Sequence, residues 1–456
     1  MRARIREYLK DVENSIGRPP SITMIGYGTT NRAILEAIYS SGIRYDITVR
    51  QSSKIYDTPP YNVKFMQGAD ALEDICEDVV FASPSVRREM LRLPGNCVIT
   101  SDTEIFFSKR NDNVFLVSGS SGKSTVTTLT SLLLFPTFPK LFTGGNLGTP
   151  LAVAPLNSDA FVIELSSFNL QYCTPLSNRA LITNVTPNHL DWHANLNEYE
   201  TCKKRLLEKT DDAILTLSSA FTESLASEIH TYALVSDTLT DGQIRRKYKT
   251  EHTLTCESGY ICIDGRKTLP TDILVRREGY NVLNMMSAMA LSLGYASEDR
   301  IFEVAENFVG LEHRCEMFTV AGRTYIDSSI DTTPERTKAT LESLKKPVSI
   351  ILGGRGKGLS LDPLKDPLLS YAKQISVYGD IGDELILWID SDGGLKDIPH
   401  EKFSAMKDAI DYANSDIQDD VTVLLSPAAT AYGEFRNFMQ RGSFFKNYVI
   451  NKYKKI

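Results

Sequence analysis

The chain lacks any apolar segment of the roughly 18 residues that a membrane-spanning helix requires. The short apolar run Leu132–Leu134 is interrupted soon afterwards by Pro136 and Pro139. Residues 1–15 carry charges of both signs and contain no apolar core of the kind found in a secretory signal peptide. These absences predict a cytoplasmic protein that is not inserted into a membrane.

Cysteine is scarce and scattered, with seven in 456 residues and no Cys-x-x-Cys pair. An odd, dispersed set is typical of reduced thiols in a cytosolic protein. An excess of positive charge is also lacking, because the formal net charge is −7. No general attraction to nucleic acid or to an anionic membrane is therefore expected, and anionic ligands must be held by local sites.

A chain of 456 residues is too long for one hydrophobic core and fits two or three domains. A unit made of a short apolar strand, a Gly-rich turn and a helical or polar stretch recurs along the chain. Its strands are Ser21–Ile25, Val114–Val117 and Val348–Leu352. This alternation predicts an α/β fold of parallel sheets, with ligands beyond the carboxyl ends of the strands. Domain boundaries are expected at Ser108–Asn113 and near Gly310.

The strongest single motif directly follows the second of these strands and reads Gly119-Ser120-Ser121-Gly122-Lys123-Ser124-Thr125. Backbone N–H groups of such a loop, at the start of a helix, hold phosphate oxygens. Lys123 would neutralise phosphate charge, and the hydroxyl of Ser124 is placed to bind Mg²⁺. Two residues separate the glycines where the usual P-loop has four. An ordinary Gly/Ser turn is the simpler interpretation, but the order of strand, loop and helix favours ATP binding.

Two further candidate residues follow other predicted strands. Glu164 ends the strand Ala160–Ile163, and a carboxylate near phosphates is what a magnesium site requires, since Mg²⁺ prefers oxygen ligands. His189 follows the strand Ile182–Val185. Taken alone, His189 would more often be a loop histidine than a ligand.

The first strand enters a turn, Gly26-Tyr27-Gly28, that is similar to a dinucleotide fingerprint. Asn31 stands where the third glycine of that fingerprint is expected. The next strand runs into Arg50, whereas recognition of the NAD ribose needs an acidic residue there. NAD binding is therefore not expected.

Taken in order along the chain, these motifs closely resemble the Mur ligase family. The blocks that carry the resemblance are Gly144–Pro150, Val162–Phe168, Thr183–Asp191 with Tyr199 and Lys203, Asn281–Asn284, Gly310–Glu316, Leu352–Lys357, Leu425–Ala428 and Phe435–Gly442. They follow the family order over nearly the whole chain, so chance is not a serious alternative.

The resemblance implies a three-domain ligase that adds D-glutamate to UDP-N-acetylmuramoyl-L-alanine through an acyl phosphate, in peptidoglycan precursor synthesis. Residues 1–108 would form a Rossmann-like domain for the UDP-sugar. Residues 109–310 would form a central ATP-binding domain of the P-loop type, and residues 311–456 a C-terminal Rossmann-like α/β domain for the amino acid. ATP and Mg²⁺ are the implied cofactors. A monomer that acts on small molecules, without a nucleic-acid partner, is expected.

Matching positions in the family motifs imply the roles of individual residues. The implied catalytic residues are Lys123, Glu164, His189 and Lys203, and the implied Mg²⁺ ligands are Ser124, Glu164, His189 and Lys203, the last of these as a carbamate. The implied ATP contacts are Gly119, Ser120, Ser121, Gly122, Lys123, Ser124, Thr125, Asn281, Asn284, Arg314 and Asp327. The implied UDP-sugar contacts are Gly28, Thr29, Thr30, Arg50, Ser83 and Asn146. The implied amino-acid contacts are Asp331, Thr332, Lys357, Ala431, Tyr432 and Phe438.

The C-terminal domain departs most from the family pattern. A lysine that is common in the family is replaced by Ser329, and a threonine by Asp331. Ala431 and Tyr432 stand where a Ser-Leu pair often binds the amino-acid carboxylate. A carboxylate at Asp331 would repel a glutamate side chain unless a cation paired with it. Two alternatives stay open: the same chemistry with L-glutamate or a basic amino acid, and an ATP-binding paralogue that has lost the chemistry.

Overall fold

The computed structural model describes residues 1–40, 42, 44–51, 62–84, 86–189, 192–275, 279–356 and 358–454. These residues form three mainly parallel sheets accompanied by helices, so the predicted α/β fold class is confirmed. The chain divides into two compact units, Met1–Phe308 and Val309–Ile456. Within the described ranges, no helix has both the length and the apolar character needed to cross a membrane. The expected boundaries of the three domains stay a prediction.

The first sheet of the first unit is formed by residues 22–100. Its strands are β1 (Ile22–Ile25), β2 (Ile47–Gln51), β3 (Lys64–Gln67), β4 (Val79–Ala82) and β5 (Val98–Thr100), and its helices are α1 (Arg2–Ile16), α2 (Thr29–Tyr39) and α3 (Asp102–Phe107). The strand order is β3-β2-β1-β4-β5, and the pairings are parallel. Strands β1 and β4 are buried along their whole length, which explains why they read as continuous apolar runs.

The second sheet of the first unit is larger and contains the predicted phosphate loop. Its strands are β6 (Val114–Ser118), β7 (Leu141–Gly145), β8 (Ala160–Glu164), β9 (Ser177–Ile182), β10 (Thr210–Thr216), β11 (Thr231–Ser236), β12 (Thr250–Glu257), β13 (Tyr260–Ile263) and β14 (Arg266–Pro270). Its helices are α4 (Lys123–Leu134), α5 (Ser167–Tyr172), α6 (Leu196–Lys204), α7 (Ala220–Glu228), α8 (Asp241–Lys247), α9 (Gly279–Leu291) and α10 (Glu298–Asn307). The strand order is β14-β13-β12-β11-β10-β9-β6-β8-β7. Because β6 pairs in parallel with both β8 and β9, the carboxyl ends of these three strands meet at one edge.

The second unit contains the third sheet. Its strands are β15 (Glu316–Val320), β16 (Arg323–Asp327), β17 (Val348–Gly353), β18 (Ala372–Tyr378), β19 (His400–Phe403) and β20 (Thr422–Leu425), and its helices are α11 (Pro334–Leu344), α12 (Lys365–Tyr371), α13 (Gly382–Ser391), α14 (Met406–Asn414) and α15 (Phe438–Tyr453). The strand order is β15-β16-β20-β17-β18-β19, in which β15 runs antiparallel to β16 and the other pairings are parallel.

Arg50 on β2 is a structural residue of the first sheet. Its side chain is buried and forms an ion pair with Glu77, in which Nη2 lies 2.9 Å from Oε1. Its Nη1 donates to the carbonyl groups of Ala71 and Glu73, and its Nε donates to Thr23 Oγ1. The guanidinium is thus fully used within the protein, because a buried charge is stable only when it is paired and hydrogen-bonded. The predicted contact between Arg50 and the UDP-sugar stays a prediction, which this pairing does not favour.

Candidate active site

The phosphate loop joins β6 to α4 at the carboxyl edge of the second sheet. Helix α4 begins at Lys123, and its N-cap residue Gly122 gives the first turn no side-chain hydrogen bond. The first N–H groups of a helix have no partner within the helix, and together with the helix dipole they favour an anion. The loop therefore has the strand, turn and helix setting that phosphate binding requires.

Neighbouring segments approach the phosphate loop so closely that a side chain would not fit at either of its two glycines. Gly119 has a φ of 147°, and a Cβ at this position would lie 1.9 Å from Thr183 Oγ1. Gly122 has a φ of 79°, and a Cβ there would lie 2.6 Å from Asn284 Oδ1. Residues with a Cβ rarely adopt such φ values. The segment after β9 and the helix α9 consequently form two walls beside the loop.

Hydrogen bonds fix the conformation of the loop. The N–H of Ser120 donates to the carbonyl of Asn184 at 2.8 Å, and the N–H of Ser121 donates to Asn184 Oδ1 at 3.0 Å. Ser120 Oγ lies 2.8 Å from the hydroxyl of Tyr199. Lys123 Nζ donates to the carbonyl of Ser120 at 2.9 Å, so its ammonium group lies over the loop.

Glu164 ends β8 beside the phosphate loop and is 1% exposed. Its Oε1 accepts a hydrogen bond of 2.7 Å from Asn146 Nδ2, and its main-chain carbonyl accepts one from the N–H of Asn146. Its Oε2 has no hydrogen-bond partner among the described residues. A buried carboxylate oxygen of this kind is a suitable ligand for a hard cation. The amide of Asn146, predicted to contact the UDP-sugar, orients this carboxylate.

Lys203 lies beneath the loop and is 2% exposed. Its Nζ donates to Ser118 Oγ at 3.1 Å and to the carbonyl of Gly119 at 2.9 Å. Burial lowers the pKa of the Lys203 amine well below that of an ordinary lysine, and the nearby ammonium of Lys123 lowers it further. The carboxylate of Glu164 opposes this shift in part. A neutral amine is therefore favoured at this position.

His189 has a different setting from the other predicted residues. It is exposed, has a left-handed backbone with a φ of 54°, and places its ring 5.0 Å from the ring of Phe168. Phe168 belongs to α5, the helix that follows Glu164. Through this ring contact, His189 lies near α5, the helix that follows β8.

His193 was not predicted from the sequence. It is buried, with Nε2 3.0 Å from Ser167 Oγ and with its ring 5.2 Å from the ring of Tyr199. Since Tyr199 contacts Ser120, these side chains connect the start of α5 to the phosphate loop. The only hint in the sequence is that His193 lies between two motif residues, His189 and Tyr199.

The remaining predicted ATP contacts of the first unit lie on α4 and α9. Ser124 is buried and Thr125 is half-buried in the first turn of α4. Asn281, on α9, lines an apolar pocket together with Leu129, Leu274, Val275, Met285, Ala305 and Phe308.

Four of the predicted UDP-sugar residues, Gly28, Thr29, Thr30 and Ser83, lie at the carboxyl edge of the first sheet. Gly28, Thr29 and Thr30 are at the start of α2, whose N-cap Gly28 makes no side-chain capping bond. Ser83 follows β4, and a Cβ on Gly26 would lie 3.1 Å from the Cβ of Ser83. The start of α2 thus offers N–H groups to an anion, as a diphosphate requires.

Asn31 replaces the third glycine of the fingerprint for a structural reason. Its Nδ2 donates to the carbonyl groups of Gly26, Ile25 and Phe81, at 2.7, 3.0 and 3.3 Å. The side chain thereby ties the turn after β1 to the end of β4. A glycine could not supply these bonds.

Asp331, in the second unit, is buried away from solvent. Its Oδ2 accepts hydrogen bonds from Thr340 Oγ1 at 2.7 Å and from Ser426 Oγ at 2.8 Å. Burial raises the pKa of the Asp331 carboxyl, and the hydroxyl donors oppose that shift. The carboxylate is thus a core group that joins α11 to the end of β20. The predicted contact between Asp331 and the amino acid stays a prediction, which this burial does not favour.

The other predicted amino-acid contacts are spread over the second unit. Thr332 and Phe438 are half-buried, Ala431 is buried and Tyr432 is exposed. The ring of Phe438 lies edge-on to that of His313, with centroids 6.3 Å apart. Lys357 lies outside the described residues.

Arg314 and Asp327, the ATP contacts predicted in the second unit, differ in their exposure. Arg314 is half-buried in the turn before β15. Asp327 ends β16, and its side chain has no exposed surface. Its carboxylate accepts hydrogen bonds from His313 Nδ1 at 2.7 Å and from the N–H of Ser329 at 2.8 Å. The predicted contact between Asp327 and ATP stays a prediction.

Comparison with known proteins shows that this chain is similar to Mur ligases. The Mur ligase middle domain matches residues 117–292. The UDP-N-acetylmuramoylalanine--D-glutamate ligase of Ruminiclostridium cellulolyticum is 28% identical, over 99% of this chain and 100% of its own. The enzyme of the same name from Clostridium tetani is 29% identical, over 94% of this chain and 96% of its own.

Solved structures of similar fold are more distant in sequence. The UDP-N-acetylmuramate-alanine ligase MurC from Thermotoga maritima superposes with a TM-score of 0.58 at 17% identity, covering 95% of this chain and 100% of its own. The murein peptide ligase of Psychrobacter arcticus has a TM-score of 0.52 at 15% identity, covering 93% and 98%. These likenesses show the fold, and the three-sheet architecture agrees with them.

Gly119→Ala tests the close approach of Thr183 to the phosphate loop. The added methyl group would overlap Thr183 Oγ1 in a backbone conformation that alanine rarely adopts. We expect a loss of about 1–3 kcal/mol in the stability of the first unit, measured as a lower Tm by calorimetry. Gly242→Ala is the matched control, because a Cβ there meets nothing within 4 Å. Equal Tm values for the two variants would contradict the described loop.

Proposed function

We propose that this chain, which is similar to Mur ligases over nearly its whole length, adds D-glutamate to UDP-N-acetylmuramoyl-L-alanine, converting ATP to ADP and phosphate, in peptidoglycan precursor synthesis. The curated relatives named above carry that activity in their names and match nearly the whole chain. One structural observation gives the main support for the proposal. The phosphate loop, the buried carboxylate of Glu164 and the buried amine of Lys203 converge at the carboxyl edge of the second sheet.

The reaction requires activation of a carboxylate. A carboxylate does not react with an amine at neutral pH, because the leaving group would be oxide. Transfer of the terminal phosphoryl group of ATP to a carboxylate oxygen gives an acyl phosphate and ADP. The amine then attacks the carbonyl carbon, loses a proton and expels phosphate, which forms the amide bond.

The phosphate loop supplies the positive potential that this transfer needs. The N–H groups at the start of α4 and the ammonium of Lys123 are both directed to the loop. They offset negative charge that develops on the transferred phosphoryl group and on the leaving ADP. The loop is held in place beforehand by Asn184 and Tyr199, so little reorganisation is needed.

The donor set around Glu164 fits Mg²⁺. Glu164 Oε2 is buried without a hydrogen-bond partner among the residues that the structure describes, which is the state of an oxygen prepared for a cation. Ser124, His189 and Lys203, the last as a carbamate, would complete the protein ligands. Bound Mg²⁺ would supply charge stabilisation to phosphate oxygens.

Lys203 is suited to carbamylation by its burial. An amine must be neutral to add to CO₂, and the lowered pKa of Lys203 favours the neutral form. The addition forms an N–C bond and releases one proton, which leaves an anionic oxygen group beneath the loop. The carbamate would thus convert the buried amine into an oxygen ligand for the metal, next to Glu164.

The first sheet is the proposed site of the UDP-sugar. The N–H groups at the start of α2 would bind the diphosphate, with Thr29, Thr30 and Ser83 at the same edge. Arg50, also predicted to contact the UDP-sugar, has its guanidinium paired with Glu77.

The position of Asp331 bears on whether an acidic amino acid can be the substrate. The sequence suggested that Asp331 would repel a glutamate side chain. Its carboxylate is instead buried and bonded to Thr340 and Ser426. D-Glutamate is therefore compatible with this unit, where Thr332, Tyr432 and Phe438 stay the proposed contacts.

Release of ADP with a panel of D- and L-amino acids tests the proposed activity. With UDP-N-acetylmuramoyl-L-alanine and ATP, we expect turnover with D-glutamate and little with L-glutamate, lysine or ornithine. Lys123→Ala should lower kcat by at least about a hundredfold. Lys204→Ala, which removes a surface lysine paired with Glu228, should not. Preference for another amino acid would contradict the substrate, and absence of turnover with every amino acid would contradict the ligase.

Carbamylation of Lys203 is tested with ¹³C-labelled bicarbonate. We expect one carbamate signal in the ¹³C NMR spectrum of the wild-type protein, because the lowered pKa of the buried amine favours its neutral, reactive form. Lys203→Ala should remove the signal together with activity, whereas Lys204→Ala should retain both. A signal that survives in Lys203→Ala would assign the carbamate to another group.

A further inference from the structure

Two consecutive arginines follow β4 of the first sheet and stack on aromatic rings of segments that follow strands of the second sheet. Arg87 lies over the ring of Trp192, with its Cζ 5.3 Å from the ring centroid. Arg88 lies over the ring of Tyr172 at 4.2 Å. Such stacking is favourable because the guanidinium group is planar and weakly hydrated. Both arginines come directly after the turn at Ser83, which is part of the proposed UDP-sugar site.

Arg88 links helix α3 to helix α5. Its guanidinium pairs with both carboxylate oxygens of Glu104 on α3, and its Nη1 lies 3.0 Å from Oε1. Its main-chain N–H donates to the hydroxyl of Tyr172 at 3.0 Å. Only 13% of the Arg88 side chain is exposed, so water competes little for these bonds. A further link between the two helices is made by Asn169, whose Nδ2 donates to Thr103 Oγ1 at 3.1 Å.

The two aromatic rings belong to the segments that carry predicted metal ligands. Tyr172 is the last residue of α5, the helix that begins soon after Glu164 at the end of β8. Trp192 donates its main-chain N–H to the carbonyl of His189 at 3.0 Å. The ring of Phe168, on α5, lies 4.5 Å from that of Trp192 and 5.0 Å from that of His189. The segment after β4 is therefore tied to both of these segments.

The separation of the two binding sites of the first unit decides which acceptor can react. In the proposed reaction the UDP end of the substrate lies at the first sheet, and its carboxylate must reach the phosphate loop at the second. One amino-acid residue lengthens an extended chain by about 3.5 Å. A misplacement of about 1 Å can lower a reaction rate about a hundredfold. Discrimination between acceptors that differ by one residue therefore requires a fixed separation.

We propose that Arg87 and Arg88 are specificity-determining positioning residues, which fix the separation between the UDP-sugar site and the phosphate loop and so select the length of the acceptor. They act through Trp192 and Tyr172 and do not touch the reacting atoms. The inference rests on the proposed function, because it takes a UDP-sugar as the ligand of the first sheet and its carboxylate as the group that is activated at the loop.

The ratio of kcat/KM for two acceptors tests this proposal in the full-length protein. ADP release is measured with ATP, D-glutamate and either UDP-N-acetylmuramoyl-L-alanine or UDP-N-acetylmuramate, which lacks the alanine. The wild type should prefer the longer acceptor. In the double variant Arg87→Met, Arg88→Met, we expect this ratio to fall at least about tenfold, mainly through kcat for the longer acceptor, because its carboxylate is no longer held in place.

Two further variants separate positioning from folding. Arg87→Met alone leaves the ion pair of Arg88 with Glu104 in place, so it carries the test if the double variant does not fold, and it should lower the ratio by a smaller factor. Arg110→Met is the matched control, because Arg110 pairs with Asp211 on the surface of the same unit; it should leave the ratio unchanged. ADP affinity should stay at the wild-type value in each of these variants, since the phosphate loop keeps its own hydrogen bonds.

The outcomes separate this proposal from the proposed function. A ratio that is unchanged in the Arg87 and Arg88 variants would overturn it even where activity falls, since a merely structural role slows both acceptors alike. A higher KM for both acceptors at an unchanged ratio would also overturn it, and would assign the arginines to direct contact with the substrate. If the shorter acceptor reacts too slowly to measure, an unchanged kcat for the longer one is the overturning result. A wild type that releases no ADP with either acceptor would overturn the proposed function and this proposal together.

Discussion

The burial of one amine, that of Lys203, is the constraint on which the arrangement of the active site depends. A lysine that is 2% exposed is costly unless its amine is neutral and hydrogen-bonded. Its acceptors are the last residue of β6, Ser118, and the first residue of the loop, Gly119. The amine therefore links α6 to the phosphate loop. The proposed carbamylation of Lys203 would occur at the atom that makes this link.

The binding sites proposed for the first unit lie at the carboxyl edges of its two sheets. In the first unit, the start of α2 follows β1 and the phosphate loop follows β6. Strands buried on both faces leave their ends as the places where polar groups can meet a ligand.

Motifs with a local geometry could be predicted from the sequence. The phosphate loop and Glu164 were predicted because strand, glycine turn and helix are adjacent in the chain. Charged residues with distant partners could not be predicted: Arg50 pairs with Glu77, which is 27 residues away, and Asp331 with Ser426, which is 95 residues away. A charge in a linear sequence does not reveal whether folding will bury it. The same limit hid His193, whose partners come from α5 and α6.

Transfer of ¹⁸O from substrate to phosphate tests the central claim most directly. UDP-N-acetylmuramoyl-L-alanine labelled in both carboxylate oxygens is converted with ATP and D-glutamate, and the phosphate is analysed by ³¹P NMR. An acyl phosphate requires one ¹⁸O atom in each phosphate released and one retained in the amide carbonyl. Phosphate without the label would contradict activation of the carboxylate at the site formed by the loop, Glu164 and Lys203.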